Sequence, residues 1–309
     1  PRLRFAEGIA LQQLGRWDES AAALGSVPAE AGDLFVSARA AQADAFSRAR
    51  RHADAERALE APLASHPRDV RLVTMRATVL DRAGRAKDSV ALLRKAVAET
   101  SPAGPDADDV SDLYSALGES LVRAGRTKEA VATLREAVAA RPRDETLLYA
   151  LASAHESAGQ ADAALAQMRA LLALNPDHAE ALNFVGYALA DRGVRLDEAE
   201  RLVRRALALK PRSGHVLDSL GWVLFRRGDY GRAVEALERA DMLTGPDATI
   251  LAHLGDAYRA VSRWAEAENA YRRGLASVAE AAPGEQLTLR AALEKKLREV
   301  SERAERSRR

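Results

Sequence analysis

Residues 217–240 read LDSLGWVLFRRGDYGRAVEALERA. Leu220 and Leu224 share one helical stripe, Gly228 interrupts it, and Leu237 and Ala240 lie on a second stripe, so the segment is a helix, a tight turn and a helix. Gly221 stands seven residues before the turn glycine and Ala233 five after it. Both are small, as they must be where two antiparallel helices cross closely and only a residue without bulk lets the backbones approach.

The same punctuation runs along the chain. Glycine, or a stand-in for it, returns at Gly15, Arg50, Gly84, Gly125, Gly159, Gly193, Gly228 and Ser262, at intervals of 35, 34, 41, 34, 34, 35 and 34 residues. Seven residues before each turn stand Gly8, Ala43, Ala77, Gly118, Ala152, Gly186, Gly221 and Gly255. Five after stand Ser20, Ala55, Ser89, Ala130, Ala164, Ala233 and Ala267, with Ala199 displaced by a one-residue insertion after Gly193. Pro67, Pro142, Pro176 and Pro211 follow the second helix of their units, where a missing N–H is harmless. A period near 34 residues is one helical hairpin of a stacked array.

Residues 147–176, LLYALASAHESAGQADAALAQMRALLALNP, and 251–275, LAHLGDAYRAVSRWAEAENAYRRGL, repeat the pattern of 217–240. With these units the chain resembles a tetratricopeptide repeat array over nearly its whole length. The expected fold is all-α: a right-handed superhelical solenoid of about eight helical hairpins, plus a capping helix near residues 286–300. There Leu289, Leu293, Leu297 and Val300 form one stripe amid charge. The expected organisation is N-terminal units in 1–98, an inter-repeat loop or hinge at 99–110, C-terminal units in 111–283, and a charged capping helix and tail in 284–309. The 99–110 segment, ETSPAGPDADDV, accounts for the 41-residue interval.

Composition narrows the function. The 46 Lys and Arg residues against 45 Asp and Glu give a net charge of +1, so no global field recruits nucleic acid or an anionic membrane. The absence of cysteine excludes disulfides, thiol catalysis and Cys-based zinc sites. No stretch approaches the ~20 apolar residues of a membrane span. The chain begins at Pro1, which is compatible with a signal or lipid anchor removed upstream. No phosphate loop, dinucleotide glycine pattern, paired-histidine zinc helix or nucleophile elbow is present, and His215 and His253 lack a third ligand at suitable spacing. The expectation is a non-enzyme without cofactor or metal.

What remains is a surface. In such an array the first helix of each hairpin lines the inner face, which selects Tyr149, Ser153 and Glu156, then Asn183 and Tyr187, then Asp218, Trp222, Phe225 and Arg226. Aromatic rings supply buried area in an interaction hot spot, and Asn183, Asp218 and Arg226 supply polar pairing. Tyr149, Asn183, Tyr187, Asp218, Trp222, Phe225 and Arg226 are therefore the candidate partner-binding residues. For Trp222 and Phe225 a second reading stands beside this one, plain packing between neighbouring first helices. The inner positions of earlier units, Arg71, Thr74, Thr78, Asp81, Arg82, Glu119 and Arg123, are polar without aromatics.

Residues 181–275 are similar to the C-terminal part of bacterial envelope tetratricopeptide proteins, among them outer-membrane lipoproteins that act as adaptors for a carboxyl-terminal-processing serine protease. The resemblance implies a periplasmic, outer-membrane-anchored adaptor whose partner is such a protease or its substrate. The alternative is a structural scaffold of a cytoplasmic or membrane-associated assembly, joined through its outer surface or ends.

Overall fold

The computed structural model describes residues 1–100, 107–278 and 285–307. Among them every regular element is helical: seventeen α-helices and one 3-10 turn at Ala29–Ala31. Sixteen helices follow one another as the eight expected hairpins. They are α1 (Arg2–Gln13) and α2 (Trp17–Gly25), α3 (Asp33–Arg48) and α4 (His52–Ser65), α5 (Val70–Arg82) and α6 (Ala86–Glu99), and α7 (Ala107–Arg123) and α8 (Thr127–Ala140). Then come α9 (Glu145–Ser157) and α10 (Ala161–Leu174), α11 (Ala179–Asp191) and α12 (Leu196–Leu209), α13 (Gly214–Arg226) and α14 (Tyr230–Thr244), and α15 (Ala248–Ala260) and α16 (Trp264–Val278). The last helix, α17, runs over Glu285–Ser307.

The two sets of small residues do what their spacing implies. A Cβ on Gly221 would overlap Leu237 Cγ, and one on Gly118 would overlap Leu134 Cδ1, so in these two hairpins the first helix rests directly on a leucine of the second. The turn residues all take a left-handed backbone, including the two that are not glycine: Arg50 at φ 61° and Ser262 at φ 62°. Position in the repeat, not residue type, dictates that conformation. The insertion after Gly193 is absorbed by a second left-handed residue, Arg195 at φ 50°, immediately before α12.

Helix starts carry their own signals. The carboxylates of Asp69, Asp144 and Asp247 accept the backbone N–H of Leu72, Leu147 and Ile250 at 3.2, 3.0 and 3.0 Å, which satisfies donors the helix leaves unpaired. Pro62, inside α4, is buried near the end of that helix.

The chain divides into two compact units, Pro1–Gln167 and Met168–Arg309, the division falling within α10. In the first, a continuous core joins Leu93 of α6, Leu113, Leu117 and Leu121 of α7, Leu134 of α8, and Leu147 and Leu151 of α9. In the second, Leu217, Ala240 and Ile250 tie α13, α14 and α15 together with Leu207 of α12 packed against them. Of the 99–110 segment read as a loop or hinge, residues 101–106 lie outside the described residues, Glu99 ends α6 and Ala107 begins α7.

The capping helix is present as α17, packed on α15 and α16. Leu293 and Val300 are buried, and Leu289 and Leu297 are half-buried. It is also fastened by polar contacts: Lys296 Nζ donates to Asp256 Oδ2 at 2.6 Å, and Ser301 Oγ donates to Glu268 at 2.7 Å. Residues 279–284 and 308–309, which the sequence reading assigned to the last unit and the tail, lie outside the described residues.

Candidate protein-binding surface

Within the second unit, α11, α13 and α15 are first helices of consecutive hairpins and pack side by side. This packing places Trp222 of α13 against His253 of α15. The indole of Trp222 stacks on His253 with centroids 4.3 Å apart and planes at 18°, and on Phe225 at 5.1 Å and 8°. Tyr230, at the start of α14, tilts against Phe225 at 5.4 Å, and Tyr187 of α11 lies 6.3 Å from His253. The Arg226 guanidinium sits 5.6 Å from the Trp222 ring and donates to the Asp191 carbonyl at the end of α11, where the helix dipole favours a cation.

Two inner-row side chains of the second unit keep polar atoms unmatched. Trp222 Nε1 and Asn183 Oδ1 are buried and have no hydrogen-bond partner among the described residues, although both side chains are only half-buried overall. Unmet donors and acceptors of this kind are uncommon and are a cost in the free chain. Asp218 is in a different position from the open polar residue that the sequence suggested. It is 7% exposed, and its Oδ1 accepts the Nδ1–H of His253 at 2.8 Å. Asp218 therefore orients the imidazole against which Trp222 stacks.

Sequence reasoning treated His253 only as a weak metal candidate and did not single out Tyr230. The spacing carried no such signal: His253 stands two residues before the crossing glycine Gly255, the position that Ser219 fills one repeat earlier, whereas the inner row places Asp218 three before Gly221. Among the described residues no group of three or more His, Asp or Glu side chains converges as a metal site. No helix of the described residues is long and apolar enough to cross a membrane.

The first unit carries its own feature. Tyr149, 38% exposed, belongs to this unit and lines a pocket of about 260 Å³ between α7 and α9, together with Glu119, Arg123 and Ser153. The sequence had placed all four on the inner row. Crowding by the pocket walls raises the Glu119 carboxyl above its ordinary value, with Arg123 opposing and Asp81 reinforcing the shift. Burial likewise raises Asp81, whose Oδ2 accepts the Ser120 hydroxyl at 2.7 Å. Burial raises the Tyr149 phenol too, helped by the charges of Glu156 and Glu119. Other polar inner residues are spent within the fold: Thr74 and Thr78 donate back to the carbonyls of Val70 and Thr74, and Arg82 pairs with Asp44 at 2.7 Å.

Four family models described as tetratricopeptide repeat match residues 71–143, 121–186, 195–248 and 250–284, and together they take in most of the chain. The TPR repeat-containing protein PA4667 of Pseudomonas aeruginosa is 30% identical over 178 residues, which are 58% of this chain and 29% of that protein. The chain thus spans less than a third of the length of this curated relative. A tetratricopeptide repeat protein of Parabacteroides merdae superposes with a TM-score of 0.59 at 16% identity, covering 85% of this chain and 97% of that one. A chain of the APC/C hetero-tetramer Cut9–Hcn1 superposes with a TM-score of 0.63 at 18% identity, covering 92% of this chain and 54% of that one. At these identities the structures agree in fold alone.

Proposed function

The chain belongs to the tetratricopeptide repeat family, and from that premise we propose that it is a non-catalytic adaptor which binds a protein partner along its rows of first helices. The carrying observation is the Trp222–Phe225 stack, half-buried on α13, with Trp222 Nε1 unmatched within it and Asn183 Oδ1 unmatched on the adjoining helix α11. Preassembled rings lose little conformational freedom on binding, and hot spots are built from such anchors. Tyr149, Asn183, Tyr187, Trp222, Phe225 and Arg226 are the contact residues in this reading, and Asp218 acts through His253.

The finer assignment rests on the likeness of residues 181–275 to envelope adaptors. The partner is a carboxyl-terminal-processing protease or its substrate, and the chain works in the bacterial periplasm, anchored at the outer membrane. The near-neutral charge fits a protein ligand bound by largely apolar contacts whose affinity falls only modestly with salt. A nucleic-acid ligand would lose orders of magnitude over the same range.

The test is a photo-reactive amino acid placed at Phe225 in cells, with the exposed Arg239 of α14 as the control position. A covalent adduct from 225 and none from 239 is expected, with a protease or cell-wall hydrolase in it. An adduct holding only cytoplasmic assembly subunits replaces the envelope assignment with the scaffold reading. No adduct from 225 sinks the inner row as the binding surface. With the partner in hand, Trp222→Ala should weaken binding by about 2 kcal/mol or more at unchanged helical content.

A further inference from the structure

The repeat gives the α7/α9 pocket of the first unit a counterpart in the second. Counted from the crossing glycines Gly118 and Gly221, Glu119 of α7 holds the place of Trp222 on α13, Val122 that of Phe225, and Arg123 that of Arg226. Counted from Ala152 and Gly255, Ala150 of α9 holds the place of His253 on α15. All four of these α7 and α9 residues line the pocket. In the second unit the register positions carry three rings, with Trp222 stacked on both Phe225 and His253. In the first unit the same positions carry a carboxylate, an isopropyl group and a methyl group, and the space of about 260 Å³ falls in the register of the missing rings.

Size and charge narrow the occupant. The volume lies below the roughly 300–1,000 Å³ of most small-molecule sites and is on the scale of one large side chain. The lining holds one acid, Glu119, and one base, Arg123, which balance, so the pocket favours a neutral group over an ionised one. Both charges still find a match in an aromatic ring, whose negative face attracts a guanidinium and whose positive edge attracts a carboxylate, whereas an aliphatic side chain offers neither. The counterpart shows half of this pairing, since the Arg226 guanidinium sits 5.6 Å from the centre of the Trp222 ring. Each guanidinium is tethered on one side, Arg226 to the Asp191 carbonyl and Arg123 to Asp81, with Nε 3.9 Å from Oδ2.

We infer that this pocket takes an aromatic side chain of the protein partner, inserted between α7 and α9 against Val122 and Ala150, with Arg123 and Glu119 as its polar neighbours. The inference rests on the reading of the chain as a protein-binding adaptor and supplies the chemistry of one contact. The two units then use one register in opposite ways. The second unit brings its own rings to the surface, and the first leaves the ring positions open for a ring from outside. Aromatic anchors that fill such pockets are the usual source of strong interface contacts.

The experiment uses the full chain with 13C-labelled tyrosine, in which Tyr149 lines the pocket while Tyr187 and Tyr230 report the Trp222 stack. The three resonances are assigned by Tyr149→Phe, Tyr187→Phe and Tyr230→Phe. The probes are the N-acetyl amides of tryptophan, cyclohexylalanine and lysine. The tryptophan amide should shift Tyr149 saturably, with cyclohexylalanine about fivefold weaker and lysine giving no saturable shift. Ala150→His restores the side chain found in the counterpart and should weaken the tryptophan amide at Tyr149 by at least about fivefold, with helical content checked by circular dichroism. Arg123→Gln, at a side chain 57% exposed, should bring tryptophan and cyclohexylalanine within about twofold of each other. Equal or tighter binding of cyclohexylalanine or lysine would overturn the inference. So would a tryptophan preference that survives Arg123→Gln, undiminished binding in a folded Ala150→His chain, or shifts confined to Tyr187 and Tyr230. None of these outcomes touches the cross-link at Phe225, so the adaptor reading stands or falls separately.

Discussion

The Nδ1–H of His253 on α15 donates to Asp218 Oδ1 on α13 at 2.8 Å, and the same imidazole carries the Trp222 indole on its face at 4.3 Å. One buried polar pair thus joins two consecutive repeats and sets the aromatic surface. Removing a single partner strands the other. His253→Leu leaves an unpaired carboxylate that is 7% exposed and should cost about 2–3 kcal/mol in denaturant unfolding. The double variant Asp218→Leu with His253→Leu should lose at least about 1 kcal/mol less than the sum of the two single variants. Additive losses would mean that the pair contributes no coupling.

The helix crossing gives a prediction with an internal control. Gly221→Ala places a methyl on Leu237 Cγ, and the hairpin must open or the leucine must leave its rotamer, so stability should fall by about 1–3 kcal/mol. Gly231, in α14, has nothing within 4 Å of its missing Cβ. Gly231→Ala should raise stability by about 0.5 kcal/mol, because alanine loses less backbone entropy in a helix. Equal effects at the two positions would sink the crossing assigned to Gly221.

The fold was legible because its determinants are local and periodic: Gly221 and Gly228 announce a crossing and a turn from sequence spacing alone, and α17 shows itself by its Leu293 and Val300 stripe. The inner row was legible for the same reason, which is why Glu119, Arg123, Tyr149 and Ser153 could be placed on one face before their pocket was seen. The Asp218–His253 bond was not legible. The repeat positions Asp218 in the inner row but His253 one place off it, and whether the two turn toward each other or toward solvent depends on rotamers and on the rings of Trp222 and Tyr187 nearby. Nor does spacing reveal that Asp81 Oδ1 lacks a donor, since that depends on which neighbours happen to be too short or already engaged.

Arg50 and Ser262 occupy turn positions that six other repeats fill with glycine, and both adopt the same left-handed backbone. A residue with a Cβ is disfavoured there by roughly 1–2 kcal/mol, partly offset by the larger entropy that glycine loses on folding. Arg50→Gly and Ser262→Gly should each stabilise the chain by up to about 1 kcal/mol, additively because the two turns are distant in sequence and share no partner. A lower unfolding midpoint for either would show that the side chain itself holds that turn.

Tyr258 on α15 donates its hydroxyl to Glu238 Oε1 at 2.7 Å, with the Arg263 guanidinium 4.4 Å from the ring. Burial, the hydrogen bond to Glu238 and its negative charge raise the phenol to about 12, with Arg263 opposing. In the unfolded chain the phenol loses its proton near an ordinary value of about 10. Between these values the folded state holds a proton that the unfolded state has released, so stability must fall as pH rises. The contribution is complete below pH about 10 and is lost as pH climbs to about 12. Tyr258→Phe removes the titrating group. Its unfolding midpoint, followed from pH 9 to 12, should decline less steeply than that of the parent chain, while at pH 7 it should lie slightly lower through the lost hydrogen bond. Identical alkaline slopes would show that the Tyr258–Glu238 bond does not hold the phenol's proton in solution.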